Sequence, residues 1–412
     1  MMNSKSISVV ATLLSIVFLT TGCGDASPIT SSVKSSGPNG SNVCGCGGSC
    51  FSTSVDGIPD TWKTIGVDHN CDGIVDLDLS ELGANTMHKD VFIQVDHLAP
   101  RPDQSTRFPF PQAAADEVVA AFLNAPVLNP DGTTGIHLHL IVGNELPYTK
   151  VVTLYRQQLD PNCSGADALA LPDLQAQNMS AAKAAVFHYA IIADFSVCDT
   201  DQHCQNCTIG APPAFQQTGY SAMNGRAFIV SLGAISGLFP SDPASSQLYQ
   251  QMVAGTFMHE LGHNFGLHHG GGNEDAPNYK PNYLSVMNYR YEFAVPLTGG
   301  RHKLDYSREA LNDLDESHLN ETTGLGSSDP ELQFTFMDSG CTPRRANASG
   351  PVDWNGDGIA NSTSVAADLN PQEDPSRNCG DVTTEVMHGH EDWSVIDYGF
   401  YNQTTPPNPN WN

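Results

Sequence analysis

Between residues 90 and 270 the apolar pattern switches from a strand period to a helix period and back. Val91-Phe92-Ile93-Gln94-Val95-Asp96 is an apolar run of strand length. Ala113 to Leu123 has apolar residues at helical spacing with Pro111 near its start, which predicts a helix. From Gly135 to Val142 the chain alternates, with Ile136, Leu138 and Leu140 on one face and His137 and His139 on the other. Val186 to Phe195 and Arg226 to Leu232 predict two more strands, and His188 in the first is read as a packed residue. A long helix is expected from about Ser245. Strand, helix, three strands and a long helix make an α+β order in which several strands share one sheet.

The pattern is weaker outside that region. Residues 24–50 are rich in Ser, Gly and Asn and hold little that could form a core, so they read as a tether. Beyond the long helix, Leu304 to Arg308 and the acidic run to Glu321 predict a loop and a short helix. Glu391-Asp392-Trp393 and Tyr398-Gly399-Phe400 predict an aromatic cluster that packs. Before the tether, Lys5 precedes an apolar run from Ile7 to Leu19, too short and too early for a comfortable membrane span, and this reads as an export signal. The run ends at Leu19-Thr20-Thr21-Gly22-Cys23, which resembles a bacterial lipoprotein signal with Cys23 as the lipidated residue. Thr20 stands where an apolar residue is usual, and ordinary cleavage nearby, with Cys23 lost, is the alternative.

Composition narrows the function. Eighteen Lys and Arg face 45 Asp and Glu, a net charge of −27, which excludes nucleic acid as a partner because phosphate binding needs cations. At long range the charge favours basic or neutral substrates, weakly and subject to salt screening. Without Cys23 the 11 cysteines become ten, an even number in an exported chain, and disulfides are the expectation. Cys44, Cys46 and Cys50 form one cluster and Cys198, Cys204 and Cys207 another. The single Cys204-x-x-Cys207 pair is read as disulfide-forming rather than as zinc or redox chemistry.

The acids concentrate with Asn and Gly. Asp68, Asn70 and Asp72 place side-chain oxygens at alternate positions, Gly73 follows the third and Asp76 is ninth, as in an EF-type calcium loop. Leu79 stands where the closing Glu is expected. A structural calcium loop resembling those of thrombospondin type 3 repeats fits better than a two-helix sensor. Asp353, Asn355 and Asp357 repeat the D-x-N-x-D-G spacing, again with no closing Glu.

The long helix carries the chemistry. Thr256 to His269 contains H-E-x-x-H-x-x-G-x-x-H. Histidines at i and i+4 point from one helix face, so His259 and His263 can grip one zinc ion, with Glu260 beside them as base for the attacking water. Gly266 can take a positive φ, end the helix and turn the chain so that His269 reaches the metal. Three protein ligands leave a fourth position open, the arrangement of a catalytic site. His268 also lies within reach. His137 and His139 are read as a solvent-facing strand surface, since no third ligand is spaced with them.

Together with Ser285-Val286-Met287-Asn288-Tyr289, the motif resembles the metzincin metallopeptidases, whose zinc helix is followed by a tight turn with a methionine beneath the metal. The resemblance selects His269 over His268 as third ligand, makes Met287 the turn methionine, and matches Tyr289 to a tyrosine that steadies the transition state. The motifs span His259–Tyr289 and the wider likeness about residues 90–290. Gly270, after the third histidine, matches no well-known subfamily. The fold implied is α+β and metzincin-like: a twisted mixed sheet with a long zinc helix above a smaller irregular C-terminal subdomain. The expected layout is a signal at 1–22, a tether at 23–55, a calcium-loop segment at 56–80, a catalytic domain at 81–300 and a C-terminal extension at 301–412. The activity implied is a zinc endopeptidase acting on proteins or peptides, exported and anchored at the cell surface or secreted. The competing readings are a calcium-stabilised adhesion or scaffold protein on a retired peptidase fold, and zinc hydrolysis of a non-peptide amide or ester.

Overall fold

The computed structural model describes residues 43–44, 48–49, 51–100, 109–156, 168–197, 218–233, 238–239, 243–274, 276–371 and 385–398. The export signal, Cys23, most of the tether, and Cys198, Cys204, Cys207 and Phe400 lie outside them. Among the described residues no helix is long and apolar enough to cross a membrane.

A short helix, α1 (Asp60–Thr64), precedes the main elements. These are β1 (Lys89–Leu98), α2 (Gln112–Leu123), β2 (Ile136–Leu146), β3 (Phe187–Ala193), β4 (Gly219–Ser221), β5 (Ala227–Ser231) and α3 (Gln247–Asn264). The five strands form one sheet in the order β2-β1-β3-β5-β4. The first four in that order run parallel, and β4 pairs antiparallel with β5 at the edge. Every strand expected in this region is present, with ends shifted by one to four residues, and the sheet is mixed in orientation.

The largely apolar sequence of β1 follows from burial on both faces. Val91, Ile93 and Val95 pack with Val118 and Phe122 of α2 and with Val253, Phe257 and Leu261 of α3. On the opposite face, Phe92 packs with Tyr189 and Ile191 of β3 and with Ile58, Val67 and Leu79 from the segment before the sheet. That segment therefore covers one side of the sheet while α3 covers the other.

The Ser246 hydroxyl accepts a hydrogen bond from the Tyr249 amide and caps the start of α3. From Met252 to Asn264 every residue of the helix is buried. Gly255 and Gly262 each cost about 1 kcal/mol of helix propensity relative to alanine. Phe257, Met258 and Leu261 are fully buried, each worth about 1.5–3 kcal/mol, so packing outweighs propensity. Polar struts fix the helix to the sheet. His188 Nδ1 on β3 donates to Asn264 Oδ1 at 3.1 Å, and Asn264 Nδ2 donates to the carbonyls of Ala222 and Ala227. His188 is thus a packed residue, as expected, and also a connector.

After α3 the chain builds a third apolar cluster around Leu311, Leu332, Phe334, Phe336 and Trp354. It includes the antiparallel pair β6 (Gln333–Met337) and β7 (Pro343–Asn347). The short helix expected in the acidic run to Glu321 is absent. Glu316 and Glu321 are instead buried, and their carboxylates accept the amides of Leu369 and Ser362 at 2.8 and 3.0 Å. Long-range demand for acceptors overrides local propensity here. The final described segment returns to α2 and α3. Trp393 packs edge-on against Phe122 and Tyr306, and Tyr398 lies near Phe265, as the aromatic pattern implies.

Burial lowers the His188 pKa from the usual 6.5 to about 4, partly opposed by the bond to Asn264. A depressed folded-state value means that stability is fully present above pH 6.5 and falls as pH drops toward 4. Between pH 7 and pH 4 the wild type should lose about 3 kcal/mol more unfolding free energy than His188→Gln. Equal pH slopes in denaturant titrations of the two proteins would show that His188 does not carry this term.

Candidate metal centre

α3 presents His259 and His263 from one face, and the turn after it supplies the third ring. Gly266 has φ +82°, in the left-handed region that suits glycine. The Gly266 amide bonds the His263 carbonyl at 3.0 Å, and the Leu267 amide bonds that of Gly262 at 2.9 Å, which closes the helix and redirects the chain. His269 then faces the helix pair. Its Nε2 is 2.9 Å from His263 Nε2, which is 3.2 Å from His259 Nε2.

The opposite nitrogens decide what those short distances mean. His259 Nδ1 lies 2.8 Å from the Val286 carbonyl, and His263 Nδ1 lies 2.8 Å from the Leu267 carbonyl. A carbonyl only accepts, so both Nδ1 atoms carry the proton, and in the neutral rings both Nε2 atoms are bare lone pairs. Two lone pairs 3.2 Å apart repel unless a cation lies between them. Tetrahedral zinc with bonds of 2.0–2.1 Å needs nitrogens about 3.3 Å apart, close to what is found. Burial, followed by the nearness of the other imidazoles, holds His263 and His269 well below the usual histidine pKa and so favours the neutral, ligating form. His259, His263 and His269 could therefore hold one metal ion. His268 is half-buried and does not join them.

The surrounding residues are set by close approach. Glu260 is buried beside the cluster, facing β4. A Cβ on Gly219 would lie 2.5 Å from Glu260 Oε1 and 2.7 Å from a Thr256 methyl. The sheet edge thus reaches the carboxylate only because residue 219 is glycine. Nothing local in the sequence marks that glycine, since the contact spans 41 positions. Met287 is fully buried, and its sulfur occupies the space that a side chain on Gly262 would need. The Tyr289 ring centre lies 4.3 Å from that of His269 and 5.6 Å from that of His259.

Asp392 is a supporting residue that the sequence pattern showed only as part of a packing segment. It is buried, and its carboxylate accepts from Tyr283 Oη at 2.8 Å, Ser285 Oγ at 2.6 Å and the Ser307 amide at 2.9 Å. The last segment is thereby tied to the turn that orients His259. Burial raises the Asp392 pKa to about 7 against these three donors.

The two D-x-N-x-D-G loops have matching backbone patterns. Asp68 Oδ2 accepts the Gly73 amide at 2.9 Å, and Asp353 Oδ2 accepts the Gly358 amide at 2.8 Å. Asn70 and Asn355 accept the amides of Asp72 and Asp357, and Asp76 accepts that of His69. These acids are not among the groups of three or more His, Cys, Asp or Glu whose ligand atoms converge in the described residues. Cys71 and Cys341 are disulfide-bonded.

His137 and His139 do more than line a solvent-facing strand surface. They do have a third partner: Asp90, opposite His137 across the β1–β2 pairing, joins them in a converging group. Inter-strand register brought it there, and spacing along one strand could not show it.

A family model described as metallo-peptidase family M12B, reprolysin-like, matches residues 180–270. The match covers less than a quarter of the chain, but it includes β3, β4, β5, α3 and all three converging histidines. It implies a metallopeptidase. No curated protein matches the chain. Replacing His263 with Ala should remove one equivalent of bound zinc per chain, read by elemental analysis of dialysed protein, and unchanged metal content would exclude this ring as a ligand.

Proposed function

We propose that the protein is a zinc-dependent endopeptidase with Glu260 as general base and acid. One observation carries the reading: three imidazole nitrogens converge, two of them with their opposite nitrogens fixed by backbone carbonyls, and a buried carboxylate lies alongside. When bound, zinc polarises a substrate carbonyl and makes water more acidic. Glu260 accepts the proton of the attacking water and delivers one to the leaving amine. The Tyr289 hydroxyl, carried on a ring beside His269, donates to the developing oxyanion. Met287 packs under the helix and holds the distance between turn and ligands. β4 ends the sheet, among the described residues, next to Glu260. An extended polypeptide that pairs with such an edge would lie along the site, which supports peptide over other amides or esters as substrate.

The proposal extends to the remainder of the chain. Asp68, Asn70, Asp72 and Asp76, and likewise Asp353, Asn355 and Asp357, are assigned to structural calcium. The repeated spacing and the matching backbone bonds support this. The apolar leader and Cys23 support export, with a lipid anchor holding the enzyme at the cell surface and proteins outside the cell as substrates.

Glu260→Gln should keep zinc and lose about 10²–10⁴-fold in kcat on a proteome-derived peptide mixture, the span expected for a positioned acid–base group. Tyr289→Phe should lower kcat more than it raises KM, because its contact belongs to the transition state. Full turnover by Glu260→Gln would defeat the mechanism, and a pure KM effect would move Tyr289 to substrate binding. For calcium, a hundredfold excess over Kd should stabilise the fold by about 2.7 kcal/mol per site. That gain should shrink in Asp68→Asn and in Asp353→Asn, and a melting temperature indifferent to calcium would dismiss both loops.

A further inference from the structure

The far edge of the sheet holds a second arrangement of ligand atoms. His137 and His139 project from one face of β2, and Asp90 projects from the same face of β1, directly opposite His137. Asp90 Oδ1 is 2.7 Å from His139 Nε2 and 3.7 Å from His137 Nδ1. The three ligand atoms lie within 4.8 Å of one another.

Each ligand is held by other groups. Asp90 Oδ2 accepts from Lys63 Nζ at 2.7 Å and from the Asn85 amide at 2.9 Å, which turns Oδ1 toward the two imidazoles. The His139 ring stacks on Phe92 at 4.3 Å, and the His137 ring stacks on His88 at 4.2 Å. His88 is itself fixed by Thr133 Oγ1 at 2.8 Å and by Asp131 at 3.2 Å. Partners that orient ligands in this way are typical of sites built for a metal.

Charge points the same way. Asp56, Asp90 and Lys63 have no side-chain exposure, and Lys63 bonds both carboxylates. The two carboxylates share this one lysine, and Asp90 Oδ1, the oxygen that Lys63 does not bond, lies against the two imidazoles. His137 and His139 keep 33% and 18% of their side-chain surface exposed, so an ion can arrive from solvent.

We infer that Asp90, His137 and His139 form a second site for a transition-metal dication of the zinc class. Two imidazoles and one carboxylate suit Zn²⁺ and its neighbours better than Ca²⁺, which takes six to eight oxygens. In the metal-free state His139 Nε2–H donates to Asp90 Oδ1; to ligate the ion the neutral ring takes its other tautomer, with the hydrogen on Nδ1 and the lone pair on Nε2. The site lies on the sheet face covered by the segment carrying α1, whereas the three-histidine centre belongs to the helix on the other face. Through Asp90 and Lys63, the ion would tie the N-terminal segment to β1 and β2. It is thus a structural clamp, independent of the peptidase reading.

The test uses the full chain, stripped of metal and titrated with Zn²⁺ alone, with bound zinc counted after dialysis. Wild type should hold two equivalents, while His137→Ala, His139→Ala and His263→Ala should each hold one. Peptidase activity should persist in the first two variants. In His263→Ala, where only the second site remains, Zn²⁺ should raise the melting temperature, and adding His137→Ala should abolish the rise. Partly exposed His137 on an edge strand keeps the test valid if His139→Ala fails to fold. A wild type holding one equivalent that His263→Ala loses and His137→Ala keeps would overturn the second site and leave the first intact. The reverse pattern would overturn the three-histidine centre and leave the clamp standing.

Discussion

Repulsion among imidazole lone pairs is the constraint around which the three-histidine centre is built. His259 and His263 have their Nδ1 protons committed to the carbonyls of Val286 and Leu267. Their Nε2 atoms must then face each other as acceptors, a costly arrangement in a buried site without a cation. The fold imposes it by using backbone from two turns that both follow the histidines' own helix. The Gly266 turn both delivers His269 and supplies the Leu267 carbonyl, so one backbone feature sets the position of one ligand and the orientation of another.

The Val286 turn has a longer chain of support. Ser285 and Tyr283 donate to Asp392, which also takes the Ser307 amide, and Trp393 Nε1 donates to Asp305 Oδ1 at 3.0 Å. The Tyr306 hydroxyl reaches the Met258 carbonyl at 2.6 Å, one residue before the first ligand. Segments far along the chain thus converge beneath α3 through buried hydrogen bonds. Such bonds are costly to break because the partners left behind are desolvated. This explains why the chain runs on well past the methionine turn: the later residues hold the turn in place.

The sheet connects this centre to the segment before it. Burial on both faces lets β1 carry apolar residues toward α3 and toward the α1 segment at once. Next to the β2 edge, the same strand carries Asp90 just before its apolar run, shared between Lys63 and two histidines. Glu260 lies against the β4 edge and the Asp90 cluster at the other, separated by the width of the sheet. Changes at one edge can therefore alter the stability of the N-terminal segment without reshaping the other.

Local patterns along the chain were enough to place β1, α2, β2, β3, β5 and α3 and to single out His259, Glu260 and His263 as candidates, while the metzincin resemblance selected His269, Met287 and Tyr289. Strand and helix periods, and ligands spaced by one helical turn, are properties of short segments. The misses around the two histidine clusters and in the acidic run were long-range. Asp90 beside His137 depends on which strand pairs with which, and the same holds for Gly219 against Glu260. The acidic run to Glu321 became buried acceptors rather than a helix because distant amides needed partners. Asp392 acquired its role only when the last segment folded back under the turn. Sequence alone therefore determined which side chains could do the chemistry; tertiary structure decided which backbone carbonyls, glycines and carboxylates hold them, because those partners are chosen by proximity in space and leave no periodic trace along the chain.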